Sequence, residues 1–406
     1  MIKLPIYLDH NATTPCDPEV VEAMIPYFAE NFGNAASKNH VFGWRAEEAV
    51  EYAREQVARL VGAQPKEIIF TSGATEAVNL ALKGVYETYL SKGSHIISCN
   101  IEHKAVMDTC KHLEKQGAEI TFLKVNDNGL INLNELEAAF KPNTILLSVM
   151  YANNEIGTIM PAKEIGEMAK KKGVLIFTDA TQAVGKIAVD VDKNGIDLMA
   201  FNAHKIYGPK GVGALYVRRK NPRVKLTAQI DGGGHEKGMR SGTLNVPGIV
   251  GFGKACELCL NKIEQEAKRV SRLRDKLEKA LLQIEESYLN GDKQHRLSHV
   301  TNISFRSVKA EELMIKLNKD IAVSSGSACM SASLEPSYVL KALGLSDDLA
   351  NGSLRFSLGR STTEEEIDYT IKAVINMVTQ LRDENILWKM RKESADINMS
   401  EKTTKV

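Results

Sequence analysis

Long apolar runs are missing from this 406-residue chain. No stretch approaches the roughly 18 consecutive apolar residues of a membrane-spanning helix, so a bilayer span is not expected. The first residues, Met1-Ile-Lys-Leu-Pro-Ile-Tyr-Leu-Asp9, set Pro5 and Asp9 where a secretory signal needs unbroken apolar sequence. The chain therefore reads as cytoplasmic. An excess of charge is also missing: 52 Lys and Arg stand against 51 Asp and Glu, a net charge of +1. No whole-molecule field draws such a chain to nucleic acid or to an anionic membrane, so the expected partners are small molecules or proteins.

Cysteine is sparse, with Cys16, Cys99, Cys110, Cys256, Cys259 and Cys329 scattered along the chain. Without a secretory signal these are expected to be reduced thiols and not a disulfide framework. Cys256-x-x-Cys259 has the spacing of half a zinc site, but no second pair or HxxxH accompanies it, and it lies in the helical run 249–263. It reads as packing. The glycines of Gly208-Pro-Lys-Gly211-Val-Gly213 match neither GxxxxGK[ST] nor GxGxxG, which argues against a nucleotide loop. No internal repeat is present.

What is present is an ordinary globular composition, 43% apolar and 25% charged, long enough for about two or three domains. Short apolar runs alternate with helical spacing: 68–70, 95–98, 120–125, 144–150, 174–178, 197–201 and 213–217 read as strands, and 75–90, 133–140 and 162–172 as helices. That alternation predicts an α/β domain with a mostly parallel seven-stranded sheet, over residues 15–260. Residues 1–14 and 261–395 are expected to form a smaller α+β domain, opening with a charged helix over 261–286. Its final helix begins at a capping box, Thr362-x-x-Glu365. Residues 396–406 are polar and read as a disordered tail.

Polar residues gather where strands end. Lys205, in Asn202-Ala-His-Lys205, follows one strand, and Asp179, in Asp179-Ala-Thr-Gln182, ends another. In open α/β sheets ligands bind at such ends. A lysine for a Schiff base and an acid for a pyridine nitrogen are what pyridoxal 5'-phosphate (PLP) needs. Thr71-Ser-Gly-Ala74-Thr75 joins a strand to a helix whose N-terminal N–H groups suit a phosphate, although a simple capping turn has the same form. His103 follows a third strand and would stack on a flat cofactor or shuttle protons. The stretch 322–336, Ala-Val-Ser-Ser-Gly-Ser-Ala-Cys329-Met-Ser-Ala-Ser-Leu-Glu-Pro, buries little apolar surface and is expected to be a mobile loop with one thiol at its centre.

Taken in order, Tyr7-Leu-Asp-His-Asn-Ala-Thr-Thr-Pro15, Phe70-Thr-Ser-Gly-Ala-Thr-Glu76, Asn153-Asn-Glu-Ile-Gly157, Asp179-Ala-Thr-Gln182, His204-Lys-Ile-Tyr-Gly-Pro209, Gly232-Gly-Gly-His-Glu236, Arg240-Ser-Gly-Thr243 and Ser324-Ser-Gly-Ser-Ala-Cys329 resemble the cysteine desulfurases of the fold-type I PLP enzymes. The resemblance covers nearly the whole chain. It implies that Lys205 holds PLP covalently, Asp179 pairs with the ring nitrogen, Gln182 bonds the phenolic oxygen and His103 stacks on the ring. Ala74, Thr75 and His204 would cradle the phosphate, and Thr243 would reach the phosphate of the neighbouring subunit of a homodimer. Asn154 and Arg355 would bind the carboxylate of L-cysteine. Cys329 would take the sulfur as a persulfide, leaving alanine. No metal is expected in the PLP site, although Cys329 would be placed to contact a transferred cluster.

The family usually carries Ser where this chain has Asn202, whose amide can still donate to phosphate. The loop length resembles the branch that passes sulfur to an iron–sulfur scaffold protein, with other acceptors and tRNA thiolation left open. Ile386-Leu-Trp388-Lys-Met390 would offer that partner apolar anchors, with helix-end packing the competing reading. An aminotransferase or selenocysteine lyase would share Lys205, Asp179 and the phosphate cradle but does not call for the Cys329 loop; a silent interaction platform would be supported by replacement of Lys205 or Cys329, and both are present.

Overall fold

Seven short runs of aliphatic and β-branched residues form one sheet: β1 (Ile68–Thr71), β2 (His95–Cys99), β3 (Glu119–Leu123), β4 (Thr144–Ser148), β5 (Leu175–Asp179), β6 (Leu198–Asn202) and β7 (Gly213–Val217). Their order is β1-β7-β6-β5-β4-β2-β3, with β7 antiparallel to both neighbours and every other pairing parallel. Six of the seven are almost wholly buried, and the edge strand β3 is more open. Continuous burial follows from helices on both faces, which is why these strands read as unbroken apolar runs instead of alternating ones. Among the helices, α1 (Ala74–Tyr89) lays Ala77, Val78, Ala81 and Val85 in one core with Ile69, Ile96, Leu146, Phe177 and Leu198.

In this computed structural model the described residues are 2–325, 335–386 and 388–392. They divide into two units, one of Asn11–Ala267 with Asp292–Leu297 and the other of Met1–His10, Lys268–Gly291 and the described part of Ser298–Val406. The first contains the seven-stranded sheet.

The second unit is built on the antiparallel strands β8 (Ser287–Leu289), β9 (Val300–Phe305) and β10 (Ser353–Ser357), with β9 in the middle, and a parallel pair, Ile6–Tyr7 with Ile321–Ala322. Two expectations need correction. The helical runs 249–263 and 261–286 are a single helix, Val246–Leu281, because Val270, Leu273, Leu277 and Leu281 give its charged half an apolar stripe of its own. The last helix, Glu364–Glu384, is capped one residue later than expected. Thr363 accepts from the Glu366 N–H at 3.2 Å and Glu366 accepts from the Thr363 N–H at 2.9 Å, whereas the Thr362 hydroxyl accepts from the Gly359 N–H. Trp388 is buried, with the Arg382 guanidinium 4.2 Å from its ring centroid, while Ile386 and Met390 are exposed.

Candidate active site

Strands β2, β4, β5 and β6 are parallel, and β1 runs the same way, so the residues after all five lie on one edge of the sheet. That edge receives Ala74 and Thr75 after β1, His103 after β2, Asn154 after β4, Asp179 and Gln182 at β5, and Asn202, His204 and Lys205 at β6.

Lys205 closes a short helical turn, Ala203–Lys205. Its ammonium donates to the carbonyls of Asn11 and Ala12, the latter at 2.6 Å. The same N-terminal segment holds the neighbouring residues. Gln182 donates from Nε2 to the Asn11 carbonyl at 3.0 Å, Thr14 donates to the His204 carbonyl at 2.9 Å, and His204 Nδ1 lies 3.1 Å from the Thr13 hydroxyl. Burial, and then the charges of Lys205 and Lys210, bring His204 down to about 4, so its imidazole is neutral at pH 7.

Asp179 is buried on the strand beside β6, and its carboxylate accepts from the Thr181 N–H at 2.9 Å. His103 caps helix α2 (Lys104–Glu114), its Nδ1 accepting from the Ala105 N–H at 3.1 Å. Next to it Glu102 is fully buried and accepts from the Met150 N–H. Burial, reinforced by the Asp179 charge, pushes the Glu102 carboxyl well above the ordinary range despite that bond. Gly73, the residue before helix α1, supplies no side-chain cap and has open space where a Cβ would stand. Gly213 lets β7 run against this turn, since a Cβ there would lie 2.7 Å from Gly73 Cα.

These residues fit PLP. Gly73 gives the N-terminus of α1 no side-chain cap, open space adjoins Gly73, and the buried Thr181 hydroxyl has no partner among the described residues. A lysine and a buried carboxylate on adjacent strand ends complete the donor set the cofactor needs.

Thr243 is exposed in a loop of the same unit. Arg355 belongs to the other unit, where it is buried on β10 and its Nη2 donates to Asp9 at 2.7 Å. Its backbone exchanges hydrogen bonds with Ser324. Cys329 and most of the stretch 322–336 lie outside the described residues, as does the tail 396–406. The remaining cysteines are poor nucleophiles where their titration is perturbed: burial raises the Cys99 and Cys256 thiols, pushes Cys110 up to about 12, and raises Cys16 together with Asp17. Cys259 is buried, its thiol 3.8 Å from the Ile206 carbonyl. Among the described residues no group of His, Cys, Asp or Glu is arranged to hold a metal ion.

The family model of class V aminotransferases matches residues 6–370. A curated relative, cysteine desulfurase IscS of Anaeromyxobacter sp. strain Fw109-5, is 57% identical over 98% of this chain and 99% of its own length. The chain belongs to the cysteine desulfurase branch of the class V aminotransferases. Among solved structures, a NifS-like protein aligns with TM-score 0.87 and 38% identity over 93% of this chain and 100% of its own. SspA in complex with cysteine aligns with TM-score 0.76 and 36% identity, over 87% and 98%. The fold-type I architecture and PLP dependence follow with the family.

Sequence reasoning passed over two participants. The carbonyls of Asn11 and Ala12 carry no side-chain signature, although the motif Asp9-His-Asn-Ala-Thr-Thr14 marked the segment. Glu102 was hidden beside the more conspicuous His103.

Proposed function

We propose that this cysteine desulfurase takes sulfur from L-cysteine, yielding L-alanine and a persulfide on Cys329, and that it supplies sulfur for iron–sulfur cluster assembly. What supports the reading is the 57% identity to a curated cysteine desulfurase over 98% of the chain, together with Lys205 and Asp179 at adjacent strand ends beside a helix N-terminus with no side-chain cap. Bound PLP supplies an electron sink for charge developing at the substrate α-carbon.

The chain's own residues do the rest. Ala74, Thr75, Asn202 and His204 bind the phosphate, His204 as a neutral donor. Asp179 holds the proton on the ring nitrogen, kept in place by the Thr181 N–H. Gln182 and His103 orient the ring. Lys205 Nζ carries the α-proton, and its two carbonyl partners keep the amine pointed into the site when it is free. Arg355, steered by Asp9, and Asn154 bind the substrate carboxylate. The Cys329 thiolate attacks the substrate sulfur: the new S–S bond forms as the carbon–sulfur bond breaks, and a proton returns to the carbon that becomes the alanine methyl group. His103 is placed as the base that produces the thiolate.

The same reading places the enzyme in the cytoplasm as a homodimer, with Thr243 of each subunit completing its partner's phosphate site. Exposed aromatic side chains on neighbouring N-terminal segments support the dimer. Phe28, Phe32, Phe42, Trp44 and Tyr52 are 43–65% exposed, and Phe32 and Phe42 touch ring to ring. Ile386 and Met390 are offered to a scaffold acceptor, while Trp388 serves packing.

The test is direct. The purified protein should be yellow and release sulfide and alanine in equal amounts from L-cysteine with a thiol reductant. Cys329→Ala should keep the colour and lose turnover. A yellow protein that forms no sulfide would point to another PLP reaction.

A further inference from the structure

We propose that the ion pair between Arg240 and Glu76 is a positioning pair that sets affinity for the cofactor phosphate and ties the phosphate-binding turn to the loop that carries Thr243. The inference rests on the assignment of Ala74 and Thr75 to that phosphate.

Glu76 is the third residue of α1, so its carboxylate stands within the turn whose N–H groups would meet a phosphate. A carboxylate there gains from the helix dipole, but it is also an anion beside a dianion. Its bonds show how it is held. Glu76 accepts from the Ser72 N–H at 2.9 Å and the Ser72 hydroxyl at 2.5 Å, and Arg240 donates to it from Nε at 2.9 Å and Nη2 at 3.5 Å. Burial works to raise this carboxyl, and the bonds from Arg240 and Ser72 outweigh it, so Glu76 stays below the ordinary value and is ionised. The side chains of the pair are only 20% and 17% exposed. Screening by water is therefore weak, and without Arg240 the Glu76 charge would be felt by the phosphate.

The loop is fastened to the β1–α1 segment at two points. Upstream, Glu236 accepts from both terminal nitrogens of Arg54 and from the Phe70 N–H, each at 2.8 Å. Downstream, Arg240 grips Glu76. Just outside these two points the loop closes on itself, Gly234 N–H to the Ser241 hydroxyl at 3.2 Å and Gly242 N–H to His235 Nδ1 at 3.3 Å. Thr243 follows three residues after Arg240. Arg240 thus neutralises a charge in one phosphate site and fixes the strap that would reach the other.

The experiment compares two ligands on the full-length chain freed of cofactor: PLP, and pyridoxal, which has the same ring and aldehyde but no phosphate. Binding is read from the spectrum of the bound ring. Arg240→Gln should lower PLP affinity by about tenfold and leave pyridoxal affinity within about twofold. Adding Glu76→Gln should restore part of the loss, because the unpaired anion is removed while the tie to the loop stays broken. The proposal is overturned if both ligands weaken together in Arg240→Gln, if neither weakens, or if the double variant binds PLP no better than the single one. A wild-type chain that binds PLP no more tightly than pyridoxal would sink the phosphate assignment itself.

Discussion

At the scale of single residues, burial sets the protonation of His204, and the N-terminal segment holds Lys205 by its carbonyls. His204 is brought to about 4 by burial and then by the charges of Lys205 and Lys210. In the unfolded chain it would titrate near its ordinary value, so below about pH 6.5 the unfolded state binds a proton that the folded state refuses. Stability should therefore fall as pH drops from about 6.5 toward 4, by roughly 2 kcal/mol after discounting for partial exposure. Urea unfolding of the cofactor-free chain at pH 7 and pH 5 should show a smaller loss in His204→Gln than in wild type. An equal loss in both would show that His204 is protonated in the folded chain. Lys205, Asp179 and His103 could be located from sequence because a polar residue closing an apolar run is a local pattern. The carbonyls that hold Lys205 could not, since backbone acceptors have no side-chain identity and their residues lie nearly two hundred positions away.

At the scale of elements, the seven strands of the large sheet and the helices 74–89, 133–139 and 162–172 were legible to within a residue or two because periodicity is set by burial, whereas the helices Val41–Leu60 and Lys104–Glu114 were not picked out. The long helix Val246–Leu281 was not legible as one, because a change from apolar to charged composition reads as a boundary when it is only a change of surroundings. Cap positions are likewise decided by which hydroxyl is already engaged, as at Thr362. A sharper test of element packing lies where β7 passes the turn into α1. A Cβ on Gly213 would stand 2.7 Å and 2.8 Å from Gly73 backbone atoms and 2.9 Å from the Phe201 carbonyl. All three are backbone, so neither side can yield by a rotamer change. Gly213→Ala should cost about 1–3 kcal/mol in chemical denaturation and should also weaken PLP binding by moving the phosphate turn. Unchanged PLP affinity would show that the turn is insensitive to β7.

For the whole molecule, the exposed aromatic side chains Phe28, Phe32, Phe42, Trp44 and Tyr52 carry the expectation of a dimer. Replacing Phe28 and Trp44 together by Glu should shift the sedimentation of the protein from dimer to monomer. Because Thr243 would then lose its partner's phosphate, PLP affinity should fall with it. A double variant that remains dimeric would place the interface elsewhere. The grip of Asn11 and Ala12 on Lys205 also has a bearing on how the protein is made. The carbonyls that receive the lysine leave the ribosome first, and the lysine follows only after nearly half the chain. Until then the beginning of the site has nothing to hold, and a nascent chain cannot capture cofactor on a half-built sheet. Cofactor uptake during synthesis would then act as a receipt that the large unit has closed upon its own beginning.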